Sequence, residues 1–406
     1  MSNIWVKNFA KRTERMQSSA IRELLKISNM PGVISFAGGL PSPDVFPIER
    51  FIEASETVLR QHGDQALQYG TTEGYLPLRQ FICDYSAKYG IHVQPENVLI
   101  TNGSQQALDL IGKVFIDLGD PVLVESPTYI GAIQAWKVYG ANFVTVETDK
   151  DGMIPESLEA QMHHKPKLAY LLPNFQNPMG TTLPLERREQ ILKICCEHGV
   201  PIIEDDPYGK LRYEGKHIPT VTKLDADICN NGPKKYQGNV IYLSTFSKTL
   251  VPGLRLAWAI APEEIIMKLV QAKQGSDLHT STFNQYLAHE VCKDDFLDRH
   301  IPVIREIYKK RRDLMMELID ELFPSDVHYV RPAGGLFLWV TVPESLNTEE
   351  LLSIAVDHKV AYVPGSPFHT DGRGKNTMRM NFSNASEEGI RLGMQRLSEV
   401  LKTALK

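Results

Sequence analysis

Cysteine is sparse and unpatterned. The five are Cys83, Cys195, Cys196, Cys229 and Cys292, an odd number with one adjacent pair and no C-x-x-C spacing. That excludes a disulfide framework and gives no zinc-ligand pattern, so no metal is expected. No apolar run approaches the roughly 20 residues that span a bilayer. Met1 to Arg15 is too polar for a signal peptide. Positive charge is not in excess either. The formal net charge of −5 removes the usual reason to expect nucleic acid or an anionic membrane as partner. Glycine and proline together make up about 13% of the chain, well short of a disordered composition. There is no internal repeat and no low-complexity tract. A cytoplasmic protein is expected.

At 406 residues the chain is long for a single core. Seven short runs read as strands: Val98–Thr101, Pro121–Val124, Phe143–Val146, Leu168–Leu172, Val200–Ile203, Val240–Leu243 and Leu256–Ile260. Several are apolar on both faces, as strands between two helix layers must be. Helical patterns fall between them, at Ser104–Phe115, Gly131–Tyr139 and Glu186–His198. This alternation predicts an open, mostly parallel α/β sheet. From about Leu297 a long amphipathic helix runs to Leu322, followed by a shorter mixture of strands and helices. The expected division is an arm with part of a small domain at 1–48, a large domain at 49–296 and a small α+β domain at 297–406. The basic run Lys309-Lys310-Arg311-Arg312 is expected on a solvated helix face.

Ligands of open α/β sheets bind beyond the carboxyl ends of the strands, and the unusual residues collect there. The strand Val240–Leu243 runs into Ser244, Thr245 and Ser247, then Lys248, with Arg255 seven residues on. A lone lysine is ordinarily an exposed loop residue. A lysine taken out of water has a lowered pKa and forms a Schiff base with an aldehyde, and the hydroxyls with Arg255 suit a phosphate. Asn102-Gly103-Ser104-Gln105 opens a helix, where a serine cap and free N–H groups also suit an anion. Asn177-Pro178-Met179-Gly180 and Glu204-Asp205-Asp206-Pro207-Tyr208 follow two other strands.

These motifs occur in order with Tyr69-Gly70, Gly74, Leu78-Arg79, Ser126-Pro127-Thr128-Tyr129, Pro332-Ala333-Gly334-Gly335 and Arg379-Met380-Asn381-Phe382. The set resembles the fold-type I aminotransferases of class I/II, which use pyridoxal 5′-phosphate, from about Phe36 onward. The resemblance implies an aspartate-aminotransferase-like α/β fold, with a mostly parallel seven-stranded sheet between helices and a smaller α+β domain. It implies that Lys248 holds the cofactor and shuttles the substrate proton. Asp205 pairs with the pyridine nitrogen, chosen over Asp206 because the Asp-x-x-Tyr spacing makes Tyr208 the partner of the ring hydroxyl. Asn177 bonds that same oxygen, and Tyr129 stacks on the ring. Gly103, Ser104, Gln105, Thr245, Ser247 and Arg255 hold the phosphate. Tyr69 reaches the neighbouring subunit's phosphate, implying a homodimer with shared active sites. Arg379 grips the substrate α-carboxylate, with Asn177, Gly39 and Tyr69 also on the substrate side.

Ser19–Leu25 and Ser35–Pro41 are similar to the subgroup of 2-aminoadipate, kynurenine and broad-specificity aminotransferases. There an N-terminal helix covers the site, and Arg22 is the candidate for a distal carboxylate. The expected reaction moves the amino group of 2-aminoadipate, an aromatic or an aliphatic amino acid to a 2-oxo acid such as 2-oxoglutarate, by a ping-pong mechanism. Two alternatives share the fold: a lyase or decarboxylase on the same cofactor, and the ligand-binding domain of a bacterial regulator. The second needs a DNA-binding extension, for which few residues precede Phe36.

Overall fold

Strands apolar on both faces need cover on both faces, and the chain supplies it. The computed structural model describes residues 4–16, 30–229 and 236–406. The segment Ser19–Leu25, with Arg22, lies outside them. The first strands are β1 (Ile34–Ser35), β2 (Val98–Thr101), β3 (Pro121–Ser126), β4 (Asn142–Asp149), β5 (Gly152–Met153), β6 (Leu168–Leu171), β7 (Ile202–Asp205), β8 (Val240–Thr245) and β9 (Ala257–Ile260). The main sheet has the order β2-β9-β8-β7-β6-β3-β4-β5. Neighbours from β8 to β4 are parallel, while β9 runs antiparallel to both β2 and β8.

Alternation along the strands feeds two cores. Val98 and Ile100 of β2 and Tyr242 of β8 join one buried cluster, with helix Leu76–Ala87. Leu99, Ile241 and Leu243 point the other way, into a cluster with helix Ser104–Phe115. The eighth strand, β5, was not among the seven expected. It is a two-residue hairpin return onto β4, with Gly152 at φ +90° and Asp149 accepting from the Asp151 N–H at 2.8 Å. Two residues are too few to leave an alternation signal.

The remaining strands are β10 (His328–Val330), β11 (Phe337–Thr341), β12 (Val360–Ala361), β13 (Val363–Pro364) and β14 (Thr377–Asn381). They form the antiparallel sheet β10-β11-β14-β13, while β12 pairs with β1 in parallel. The neighbouring strands β12 and β13 are separate because they pair with different partners, β1 and β14. Asn381 donates its N–H to Phe36 O at 2.7 Å, which ties the segment after β1 to this sheet.

The helix Phe296–Leu322 joins the two sheets and buries Ile304, Tyr308, Met315 and Ile319 on one stripe. The basic run on it departs from expectation. Arg311 and Arg312 are buried, Arg311 bonding Ser383 O and Asp44 at 2.6 Å each, and Arg312 bonding Pro332 O at 2.7 Å. Consecutive helical residues turn about 100° apart, so four in a row cannot share one solvated face.

Candidate active site

The parallel strands end on one side, and their exits frame a cavity of about 440 Å³. Ser104, Gln105, Tyr129, Asn177, Asp205, Tyr208, Thr245, Ser247, Lys248, Arg255, Arg379 and Gly39 all line it.

The turn after β8 is built by hydroxyls. Thr245 Oγ1 accepts from the Ser247 N–H at 3.0 Å and donates to Leu256 O at 3.0 Å. Phe246 turns into the core against Trp258, which leaves Lys248 at the cavity wall. Lys248 Nζ donates to Gly39 O at 2.7 Å. Burial first, and then the nearby Arg379 and Arg255, hold its pKa down to about 8.

Helix Ser104–Phe115 opens differently from the expected serine cap. Gly103 is the capping residue, at φ +76° and ψ 162°. Ser104 is therefore the first helical residue, and its buried hydroxyl has no partner among the described residues. The glycine is needed twice over, since a Cβ there would lie 2.2 Å from Arg255 Nη2. Arg255 itself sits in the left-handed region at φ +53°, which folds its guanidinium back over Gly103.

The acidic pair separates cleanly. Strand β7 ends at Asp205, two residues later than expected, because Glu204 and Asp205 find buried donors there. Glu204 accepts from the N–H groups of Val221 and Thr222 at 2.8 Å each. Asp206 accepts from Asn174 and Gly209 at 2.9 Å and from Tyr242 at 3.0 Å, and faces away from the cavity. Among the described residues Asp205 accepts only from Tyr170, at 2.8 Å on Oδ2, and its buried Oδ1 has no partner. Burial pushes its pKa up to about 7, against the lowering effect of the Tyr170 bond.

Arg379 enters from β14. Its Nη1 donates to Asn177 Oδ1 and its Nη2 to Ala37 O, each at 2.8 Å, while the buried Nε has no partner among the described residues. The guanidinium lies over the rings of Phe337 at 4.1 Å and Phe368 at 5.0 Å. Desolvation holds its pKa down to about 10. Tyr208 is buried with its ring edge-on to Phe337, and burial raises its phenol.

Two expected residues stand apart. Tyr69 is 80% exposed, packs on His279 and lies outside this cavity. Arg22 is outside the described residues. Sequence reading also missed Tyr170 and Phe337. Phe337 follows the Pro332–Gly335 motif closely enough to have been suspected, whereas a tyrosine inside an apolar strand carries no signal beyond core.

The donor set fits pyridoxal 5′-phosphate. Hydroxyls, a helix N-terminus and Arg255 suit the phosphate, Asp205 Oδ1 suits a ring N–H, and Lys248 suits the aldehyde. Comparison with known proteins agrees. The family model for aminotransferase class I and II matches residues 32–397. The chain is 45% identical over 402 residues to a 2-aminoadipate transaminase of Thermus thermophilus, covering 99% of this chain and 98% of the relative. It is 44% identical over 407 residues to aromatic-amino-acid aminotransferase 1 of Thermococcus litoralis, covering 98% and 95%. The solved structure of an alpha-aminoadipate aminotransferase from Thermus thermophilus, complexed with N-(5′-phosphopyridoxyl)-L-leucine, superposes with a TM-score of 0.92 at 44% identity over 99% of both chains. The chain belongs to the class I and II aminotransferases, transaminases of the aspartate-aminotransferase-like fold whose cofactor is pyridoxal 5′-phosphate.

Proposed function

We propose that this transaminase takes the amino group from 2-aminoadipate, aromatic or aliphatic L-amino acids and passes it to a 2-oxo acid such as 2-oxoglutarate, in two half-reactions of a ping-pong cycle. One observation carries the reading. Lys248, Arg255 and Arg379 line one cavity, and among the described residues none has a carboxylate at ion-pair distance. Such a site suits a phosphate and a substrate carboxylate together.

When bound, the cofactor supplies an aldehyde that takes up an amino group and a ring that stabilises negative charge at the attached carbon. Lys248 Nζ is its attachment point and then the proton carrier at the substrate α-carbon. A pKa held near 8 leaves a usable share of free amine at neutral pH. Asp205 holds a proton on the ring nitrogen. Tyr208 and Asn177 bond the ring hydroxyl oxygen, and Tyr129 covers the ring. Gly103 lets Arg255 close on the phosphate beside Ser104, Gln105, Thr245 and Ser247. Arg379 binds the α-carboxylate, with Gly39 beside it. Residues 49–296 form the cofactor-binding domain, with 1–48 and 297–406 closing the substrate side. Tyr69 completes the site of a second copy in a homodimer. No helix among the described residues is long and apolar enough to cross a membrane, and a cytoplasmic setting suits the substrates.

The rest of the described wall includes Leu40 and Phe337, which suit an apolar side chain. A distal carboxylate is left to Arg22. Lys248→Ala is expected to abolish amino transfer together with the visible absorbance of bound cofactor, and retained transfer would overturn the reading. Arg22→Ala is expected to raise KM for 2-aminoadipate much more than for phenylalanine in assays with 2-oxoglutarate. An equal change for both donors would remove Arg22 from specificity.

A further inference from the structure

Asp205 is 2% exposed, yet among the described residues no cation lies at ion-pair distance from it. Its one side-chain donor is the phenol of Tyr170 on β6, at 2.8 Å to Oδ2. The other oxygen is buried and has no partner among the described residues, in a side chain that lines the cavity. A carboxylate presents two acceptor oxygens, and a firm bond to one decides which faces the ligand. Tyr170 is itself held. Its ring meets Trp136 edge-on at 5.2 Å and 87°, and Trp136 Nε1 donates to Leu108 O at 2.8 Å.

We propose that Tyr170 is a positioning residue, whose hydroxyl fixes Asp205 with one oxygen toward the cavity and keeps that carboxyl ionised for a ring N–H. This rests on the reading of Asp205 as partner of the pyridine nitrogen. A phenol suits the task because it donates a hydrogen bond without adding a positive charge. An arginine or lysine there would neutralise the carboxylate that the ring needs. Burial raises the phenol far above its ordinary value, so it stays a donor at all physiological pH. Without that bond, burial would drive Asp205 still further toward the protonated acid.

The test compares two ligands on the cofactor-stripped protein by absorbance titration: pyridoxal 5′-phosphate, and its 1-deaza analogue with carbon in place of the ring nitrogen. Tyr170→Phe is expected to weaken the natural cofactor about tenfold, as loss of a bond to a charged group does, and to leave the analogue within about twofold. Equal losses for both ligands, or none for either, overturn the proposal. A 3-fluorotyrosine at position 170 keeps the packing and sharpens the donor, so it is expected to favour the natural cofactor over the analogue. An unchanged ratio counts against the proposal even if Tyr170→Phe folds poorly. Asp205→Asn separates the two readings. If Asp205→Asn fails to discriminate between the ligands, the reading of Asp205 itself falls. If it discriminates and Tyr170→Phe does not, only the role of Tyr170 is lost.

Discussion

A protonated amine is neither nucleophile nor base, so the chemistry at Lys248 turns on its charge. Removal from water disfavours the ammonium, and two guanidiniums nearby add to the effect. The folded amine titrates near 8 and the unfolded one near its ordinary 10.5. The sign follows: this group favours folding fully above 10.5, and that contribution is lost as the pH falls through 8. In the cofactor-free protein, acylation of Lys248, followed by peptide mass spectrometry, is expected to rise with pH through about 8. Arg379→Met removes a neighbouring cation and is expected to move the midpoint upward. A midpoint that stays put would mean that the two groups are not electrically coupled. Lys248 and Arg379 could be singled out in the chain because hydroxyls and motif neighbours mark them. Tyr170 could not, because its partner lies 35 residues away on another strand.

Among elements, the helix Ser104–Phe115 shows how a backbone position makes room for a charged side chain. Gly103 occupies a conformation that is nearly glycine's alone, and its missing side chain is the space Arg255 fills. Gly103→Ala is expected to cost about 1–3 kcal/mol in denaturant unfolding from backbone strain. It is also expected to weaken cofactor binding, because Arg255 must move. Unchanged affinity in a cofactor titration would show that the contact is incidental. The helix limits read from the sequence, Ser104 to Phe115, coincide with those in the structure. The cap was misplaced by one residue, since serine is the better cap until a positive φ is known to be required. At β7 the strand runs on through Glu204 and Asp205, past the end at Ile203 read from the sequence. What carries it on is a set of buried donors from Val221, Thr222 and Tyr170, all of them distant from the two acids in the chain.

For the whole molecule, two arginines bridge its parts with unequal weight. Arg312 is fully buried, pairs with Glu214 and bonds Pro332 O. Arg373, in the segment before β14, pairs with Glu147 on β4, with side chains 47% and 52% exposed. Solvent screens the second pair, so Arg373→Ala is expected to change stability by less than about 1 kcal/mol. Arg312→Ala removes a fully buried side chain and its bond to Pro332 O, while Glu214 is 39% exposed and keeps Arg331, so the cost is expected from lost packing and hydrogen bonding, at about 2 kcal/mol. Urea unfolding of both variants checks the order, and similar losses would mean that burial does not govern these contacts.

Periodicity and the ordered motifs were enough to establish the α/β class, the family, the lysine and most of the cavity lining, because both are local properties of the chain. Folding was needed to choose between neighbours that look alike in a row. Arg311 and Arg312 leave the solvated face on which Lys309 and Lys310 remain, Asp206 is tied up by Asn174, Gly209 and Tyr242, and Asp205 keeps an oxygen that no described residue bonds. Which atom is satisfied and which is left for a ligand depends on donors brought from distant strands, and that pairing exists only once the sheets are assembled.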